Sequence, residues 1–420
     1  MFPMIFIKKP TLRTIWVLLI VWLLISNSLS AADLRSDLGS RVVTRSASLQ
    51  PMPSNSLAEE LPTQKIVPQP AQYADWDYAP PDNGEFWDDC FGGCCNRWWG
   101  NFDALLWFRR ARTLPPLVQT GDPQPTTVLY GGGDVGTSPT AGGRFEIGRW
   151  ANEEQTYGYG VRAFFLANSD TNYDITRAAG GSALGIPFFN VAPPPDGTGQ
   201  LDYFLVADPT ANPAYGGTIN VHTTSKVLGG DAFTKFLLCD TGCVRVDLLL
   251  GYQTSRIDEN LTMTSTLTGQ GITVRDSFTT YNQFHGGTVG LKYQTFFSRC
   301  YCDYMLKVGM GNMHQTVIID NSGSTNGGLF ARNTNIGTYQ RNVFAVVPEF
   351  TGNVVVPLTC RIDFNIGYSF LMWSNVLQAA TQIDRSANLT PNTAPARPTQ
   401  AYNSNDFWVH GVNLGMTVKF

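Results

Sequence analysis

From Trp98 to Phe420 the hydrophobicity of the chain alternates with a period of two, and the two parities carry opposite chemistry. In the five clearest segments one parity holds Val244, Val246, Leu248, Leu250 and Tyr252, then Val289, Leu291, Tyr293, Thr295 and Phe297, then Tyr304, Leu306, Val308 and Met310. It continues with Ile362, Phe364, Ile366, Tyr368, Phe370 and Met372, and with Val412, Leu414, Met416, Val418 and Phe420. The other parity holds every charge of these segments, Arg245, Asp247, Lys292, Lys307, Asp363 and Lys419, together with Gly251, Gly290, Gly309, Gly367, Gly411 and Gly415. Successive side chains of a strand point to opposite faces, so each segment has one apolar and one polar face.

Ten such strands are expected, starting near Trp98, Arg144, Thr156, Thr218, Val244, Asn282, Asp303, Asn342, Arg361 and Phe407. Their connections alternate between short (152–155, 239–243, 298–302, 358–360) and long (110–143, 168–217, 265–280, 319–340, 377–405). That asymmetry predicts an all-β fold, an antiparallel transmembrane up-and-down barrel. Twelve strands are the alternative, if Leu201 to Val206 pairs with part of the 168–200 loop. A soluble sandwich alternates as well, but three features favour a membrane. Trp98, Trp99, Trp150 and Phe297 mark one strand end and Trp107, Trp373 and Trp408 the other, as interfacial girdles would. The strands match the 9–11 residues or so of a tilted transmembrane strand. The sequence also finishes on an aromatic at the end of an alternating strand, which resembles the signal read by outer-membrane assembly machinery. Pro348 interrupts one strand, and a bulge or break is expected there.

Residues 1–30 read as a signal peptide: Lys8, Lys9 and Arg13, an apolar run from Ile15 to Ile25, then small polar residues. Eleven apolar residues fall short of the roughly 20 needed to span hydrocarbon as a helix. Residues 31–97 read as a Pro/Ser-rich periplasmic linker ending in a cysteine knot, and 98–420 as an outer-membrane barrel. With 15% charged residues and a net charge of −4, nucleic acid is excluded as a partner.

Eight cysteines are many for such a chain: Cys90, Cys94 and Cys95 in the knot, and Cys239, Cys243, Cys300, Cys302 and Cys360 beside short turns. All therefore gather at one end. In an oxidising compartment they are expected to form disulfides, either from the knot to the rim or between neighbouring molecules. A four-cysteine metal site is the competing reading. His222, His285, His314 and His410 share no metal-ligand spacing, and no Gly-x-Ser-x-Gly or His-Glu-x-x-His motif occurs. No catalytic, cofactor-binding or metal residues are assigned, no cofactor is implied, and no enzymatic activity is expected.

Ten strands make a narrow barrel, whereas open aqueous pores usually need about 16. Inward Arg245, Asp247, Lys292, Lys307 and Asp363 could pair across the lumen and plug it, while inward glycines would leave space. The expectation is an outer-membrane barrel of porin-like or structural envelope role, embedded in outer-membrane lipid. Alternatives are a disulfide-linked envelope layer of cross-linked copies, or an enzyme or receptor acting through the long loops.

The runs Trp99-Gly100-Asn101-Phe102-Asp103-Ala104-Leu105-Leu106-Trp107-Phe108, Arg245-Val246-Asp247-Leu248-Leu249-Leu250-Gly251-Tyr252, Gly367-Tyr368-Ser369-Phe370-Leu371-Met372-Trp373, Gln382-Ile383-Asp384 and Phe407-Trp408-Val409-His410-Gly411 resemble the putative β-barrel porin-7 family. The resemblance covers nearly the whole chain after residue 97 and implies fold and membrane address only. It carries no catalytic residues to transfer.

Overall fold

The computed structural model describes residues 97–420 apart from 123, 196–198, 298, 326, 391 and 392. The expectations for 1–30 and 31–96, including Cys90, Cys94 and Cys95, lie outside the described residues. Ten antiparallel strands close into a barrel: β1 (Trp98–Arg109), β2 (Thr140–Trp150), β3 (Tyr157–Arg177), β4 (Gly216–Asp240), β5 (Val244–Thr268), β6 (Ile272–Phe296), β7 (Tyr301–Asp320), β8 (Gly337–Thr359), β9 (Ile362–Leu377) and β10 (Ser404–Lys419). Each pairs with its sequence neighbours, and β1 pairs with β10 as well as β2, so no edge is left open.

The wall is of uneven height. β3 to β8 run for 20 to 25 residues, while β1 and β2 have 12 and 11 and β9 and β10 have 16 each. The face chemistry inverts halfway up the tall side. On β5 the outward set runs Val244, Val246, Leu248, Leu250, Tyr252 and then Thr254, Arg256, Asp258, Asn260, Thr262. Its inward set runs Arg245, Asp247, Leu249, Gly251, Gln253 and then Ser255, Ile257, Glu259, Leu261, Met263, with the residues from Gln253 upward buried. The first turns of the wall are thus apolar outside and charged inside, as a membrane-spanning barrel requires. Above them the wall is polar outside and largely apolar inside, like a water-soluble protein folded around its own core.

The low side is filled by the connections. Strands Val118–Gly121, Thr127–Tyr130, Ala183–Asn190, Gln200–Ala207 and Ser386–Ala387 form a separate five-stranded sheet. Its residues Val118, Leu184, Ile186, Phe188 and Val206, with Leu117 just before it, are buried against inward Ile219, Leu261, Met263, Phe278 and Val317 of the tall wall. Leu201 to Val206 does pair with part of the 168–200 connection, but in this capping sheet. The barrel stays at ten strands.

Three expectations need correction. The 265–280 connection is only the turn 269–271: Gly269 and Gly271 hold the positive φ that a tight hairpin needs, and the flanking Thr and Ser residues belong to the strands. Pro348 causes no bulge, since β8 keeps its register with β7 through Val308↔Pro348. The N–H of Val346, two residues away and facing the same side, donates to Ser374 Oγ of β9 (2.9 Å). Position 348 therefore points its missing donor toward β9, where the β8–β9 ladder has already ended at Glu349. Trp99, Trp107 and Trp373 are not girdle residues: at 8%, 1% and 0% exposure they lie inside the lumen.

The lumen as candidate functional site

Three layers follow one another inside the barrel. At the short-turn end is a cavity of about 880 Å³ whose wall includes Arg245, Asp247, Lys292, Lys307 and Asp363, as well as Cys360. Most of its charges are matched locally: Lys292 to Asp303 (2.9 Å), Lys419 to Asp363 (2.7 Å), Arg245 to Asp247 (3.0 Å) and Lys235 to Glu146 (3.3 Å). Tyr301 Oη donates to Asp363 Oδ2 (2.9 Å). Lys235 also lies 4.2 Å from the centre of the Trp99 ring and Arg245 4.8 Å from that of Trp150, so the aromatics at this end serve the cations within.

Deeper, two cations and two carboxylates meet with almost no access to solvent. Arg162 grips Glu349 with both terminal nitrogens (2.7 Å each), and Nη2 also reaches Asp231 Oδ2 (2.6 Å). Lys307 Nζ bridges the same two acids, 2.8 Å from Glu349 Oε2 and in contact with Asp231 Oδ2. The four come from β3, β4, β7 and β8, so the quartet spans the lumen. The charge is balanced and the geometry bidentate, which is what burial of ions in a low dielectric demands. Beside it, Asp103 holds Arg144 (2.7 Å) and accepts from Asn365 Nδ2 (2.9 Å). Arg144 and Asn413 both donate to Ser369 Oγ, and Trp107 Nε1 donates to Asn413 Oδ1 (2.8 Å). This chain of bonds leads up to the third layer.

That layer is apolar: Trp107, Phe164, Phe284, Trp373 and Phe407 pack with Leu105, Val227, Ile257 and Val347, all essentially inaccessible. Trp107 and Trp373 flank Phe164 at ring separations of 5.9 and 6.4 Å, and Trp373 Nε1 finds Ser255 Oγ (2.7 Å). After Trp373 the chain turns inward at Asn375, whose φ is 58°, and Asn282 binds both the N–H and the carbonyl of Leu377 (2.7 and 2.9 Å). The connection that follows is thereby fastened across the barrel beneath the capping sheet.

Sequence reasoning singled out five of the charges in this lumen. It missed Arg162, Asp231, Glu349, Asp103, Arg144, Glu146 and Lys235, which obey the same parity on strands left unscored. The space expected over the inward glycines is filled. A Cβ on Gly415 would fall 1.9 Å from Asp103 Oδ1, and one on Gly148 2.0 Å from the Trp99 ring. The histidines lie apart, His285 beside Tyr252 and His410 beside Tyr368 on the outer wall, His222 by Asp170 and His314 by Asn342. No group of three His, Cys, Asp or Glu suited to a metal ion occurs among the described residues. Cys239, Cys243, Cys300 and Cys302 are free thiols at the short-turn end, and Cys360 is not among them.

Wall, belt and filled lumen together define a membrane-embedded β-barrel whose interior is closed by its own side chains. The chain belongs to the putative β-barrel porin-7 family, which it matches over residues 99–420. No curated protein sequence matches it. Among solved structures it is similar to the outer membrane protease OmpT from Escherichia coli, at 10% identity and TM-score 0.43, over 77% of this chain and 97% of that one. It is also similar to the P. putida toluene transporter TodX, at 9% identity and TM-score 0.25 over 79% and 92% of the two chains, and to the CymD monoaromatic hydrocarbon channel, at 8% and 0.27 over 77% and 89%. Likenesses this distant transfer no activity to this chain.

Proposed function

We propose that this protein is a component of a bacterial outer membrane whose barrel is sealed at rest, serving a structural envelope role rather than general diffusion or catalysis. The observation that carries this reading is the succession of a balanced ionic quartet, an aromatic layer and a capping sheet across a single narrow lumen. The short turns and the described start of the chain lie at one end and the long connections at the other. By the usual asymmetry of such barrels the first end faces the periplasm and the second the outside. The free thiols at the periplasmic end would let copies be cross-linked into a layer.

A gated, porin-like passage is the second reading, favoured by the cavity of about 880 Å³ at the short-turn end of the lumen. Planar-bilayer recording of the purified protein separates the two. A sealed barrel gives no steady conductance, and stepwise openings of the unmodified protein would overturn the structural reading in favour of a channel.

A further inference from the structure

A furrow of about 590 Å³ crosses the outer face of the barrel near its short-turn end, from β1 to β5. Its banks are two neighbouring outward rows of the wall. One row is Trp98, Arg149, Tyr159, Thr234 and Leu250, each directly opposite the next, and the other is Ile147, Val161, Ala232 and Tyr252. Small Ala232 stands between Val161 and Tyr252, each 53% exposed, so the wall is hollow there. Thr234 Oγ1 donates to the carbonyl of Leu250 (3.1 Å), so its hydroxyl is engaged within the wall. The lining is aliphatic and aromatic except at one end, and a site of this volume suits a small molecule.

That end is Arg149, the only charge in the two rows. Its guanidinium lies 5.3 Å from the centre of the Trp98 ring, which is itself stacked on Phe420. The lumen cations are each matched to a carboxylate, but no described carboxylate pairs with Arg149, and its Nε is buried without a partner. Strand tilt makes the furrow climb: Arg149 is one residue from the end of β2 at Trp150, whereas Leu250 is six from the start of β5 at Val244. The furrow thus begins with a cation at the interface and continues into the apolar belt, the profile that an anionic headgroup followed by a hydrocarbon chain would match.

We propose that this furrow is a binding site for one phospholipid of the leaflet on the short-turn side, with its phosphate on the Arg149 guanidinium and one acyl chain along Val161, Ala232 and Leu250. This rests on the outer-membrane reading above. A guanidinium donates to two phosphate oxygens at once, which a phosphodiester offers and a neutral lipid does not. Inside hydrocarbon the furrow adds only van der Waals contact. The phosphate therefore supplies the discrimination between lipids, and the furrow fixes the position of the chain.

Native mass spectrometry of the full-length protein, delipidated in a non-ionic detergent and titrated with dioleoylphosphatidylglycerol, tests this. The first lipid should bind roughly tenfold more tightly than later ones, the scale of one charge-assisted contact. Arg149→Gln and Ala232→Leu, each checked for folding by heat-modifiable migration, should remove that preference. Dioleoylglycerol, which lacks the phosphate, should show no preferred first step with the unmodified protein. Equal affinity at every step of the phosphatidylglycerol titration overturns the site. A preferred step kept in Arg149→Gln, or shown equally by dioleoylglycerol, overturns the phosphate contact, and one kept in Ala232→Leu overturns occupancy of the furrow. A protein that inserts into vesicles of the same lipid yet shows no preferred step loses this site and keeps the membrane reading, whereas failure to insert removes both.

Discussion

At the scale of single residues the barrel distinguishes its two faces sharply enough to be tested by pairs of substitutions. Leu248, Leu291, Leu306 and Phe350 follow one another in register across β5 to β8 on the outward face. Leu248→Arg, near the middle of the apolar belt, should cost about 2–4 kcal/mol in a bilayer or detergent unfolding assay. A cost below about 1 kcal/mol would place that face away from lipid. The ionic quartet makes a second test. Glu349→Ala leaves Arg162 and Lys307 sharing Asp231 alone, an excess charge buried in a closed lumen, and should cost about 3–5 kcal/mol. Replacing Arg162 and Glu349 together by Met keeps the balanced Lys307–Asp231 pair and should cost less than Glu349→Ala alone. If the double variant is the less stable in the same assay, charge balance is not what the quartet supplies.

Among the elements, the β5–β6 hairpin above the belt holds a titratable latch. Asp276 lies between outward Arg275 and Ser277, clear of the apolar belt, and is buried to 1% exposure. Burial pushes its pKa up to about 6, against the pull of N–H groups donated by Ala331 and Phe330 (2.7 and 2.8 Å). A carboxyl raised in this way binds more protons folded than unfolded between about pH 4 and 6. The stability it confers is thus greatest below pH 4 and falls as pH rises to 6, by up to about 3 kcal/mol. Asp276→Asn keeps the acceptor and removes the charge, so hydrogen exchange of the Phe330 and Ala331 amides should lose its pH-dependent loosening, corrected for intrinsic rates, and match or exceed wild-type protection at pH 7.5. An unchanged pH profile would assign the effect elsewhere. This hairpin also marks where the sequence stopped being readable. Inward Leu261, Met263 and Leu267 alternate with outward Thr262, Thr264 and Thr266 as regularly as the membrane segments do, but with the apolar set on the opposite face. A reading tuned to lipid outside and charge inside sees a Thr-rich loop. Trp107 and Trp373 misled for the same reason: interface and lumen both accept a tryptophan, and only the strand's parity carried past the belt tells them apart. Ten strands, their closure and the charged parity were legible because that half of the wall meets two different solvents. The quartet was not, since a pairing across the barrel depends on stagger between strands far apart in sequence.

At the scale of the whole barrel, residues 97–420 form a membrane anchor continued upward into a half folded around its own core. Strands of 25 residues, as in β4, β5 and β6, rise about 80 Å along their axis at 3.3 Å per residue. With a tilt of about 40° the wall stands about 60 Å tall, of which an apolar belt accounts for about 25 Å. Roughly 35 Å of wall should therefore stand clear of the bilayer on the side of β3 to β8. The core of Leu261, Met263, Phe278, Val317 and the capping sheet keeps that projection rigid, since separating cap from wall would expose side chains now at 0–5% accessibility. Atomic force microscopy of the protein in supported bilayers should show a stiff protrusion of 30–40 Å on the face of the long connections. A height under about 15 Å, or a protrusion that trypsin removes without unfolding the barrel, would mean that the upper strands do not stand as one body with the wall. The inversion of chemistry along each strand sets the height at which lipid ends: below it water is excluded from outside, and above it from within.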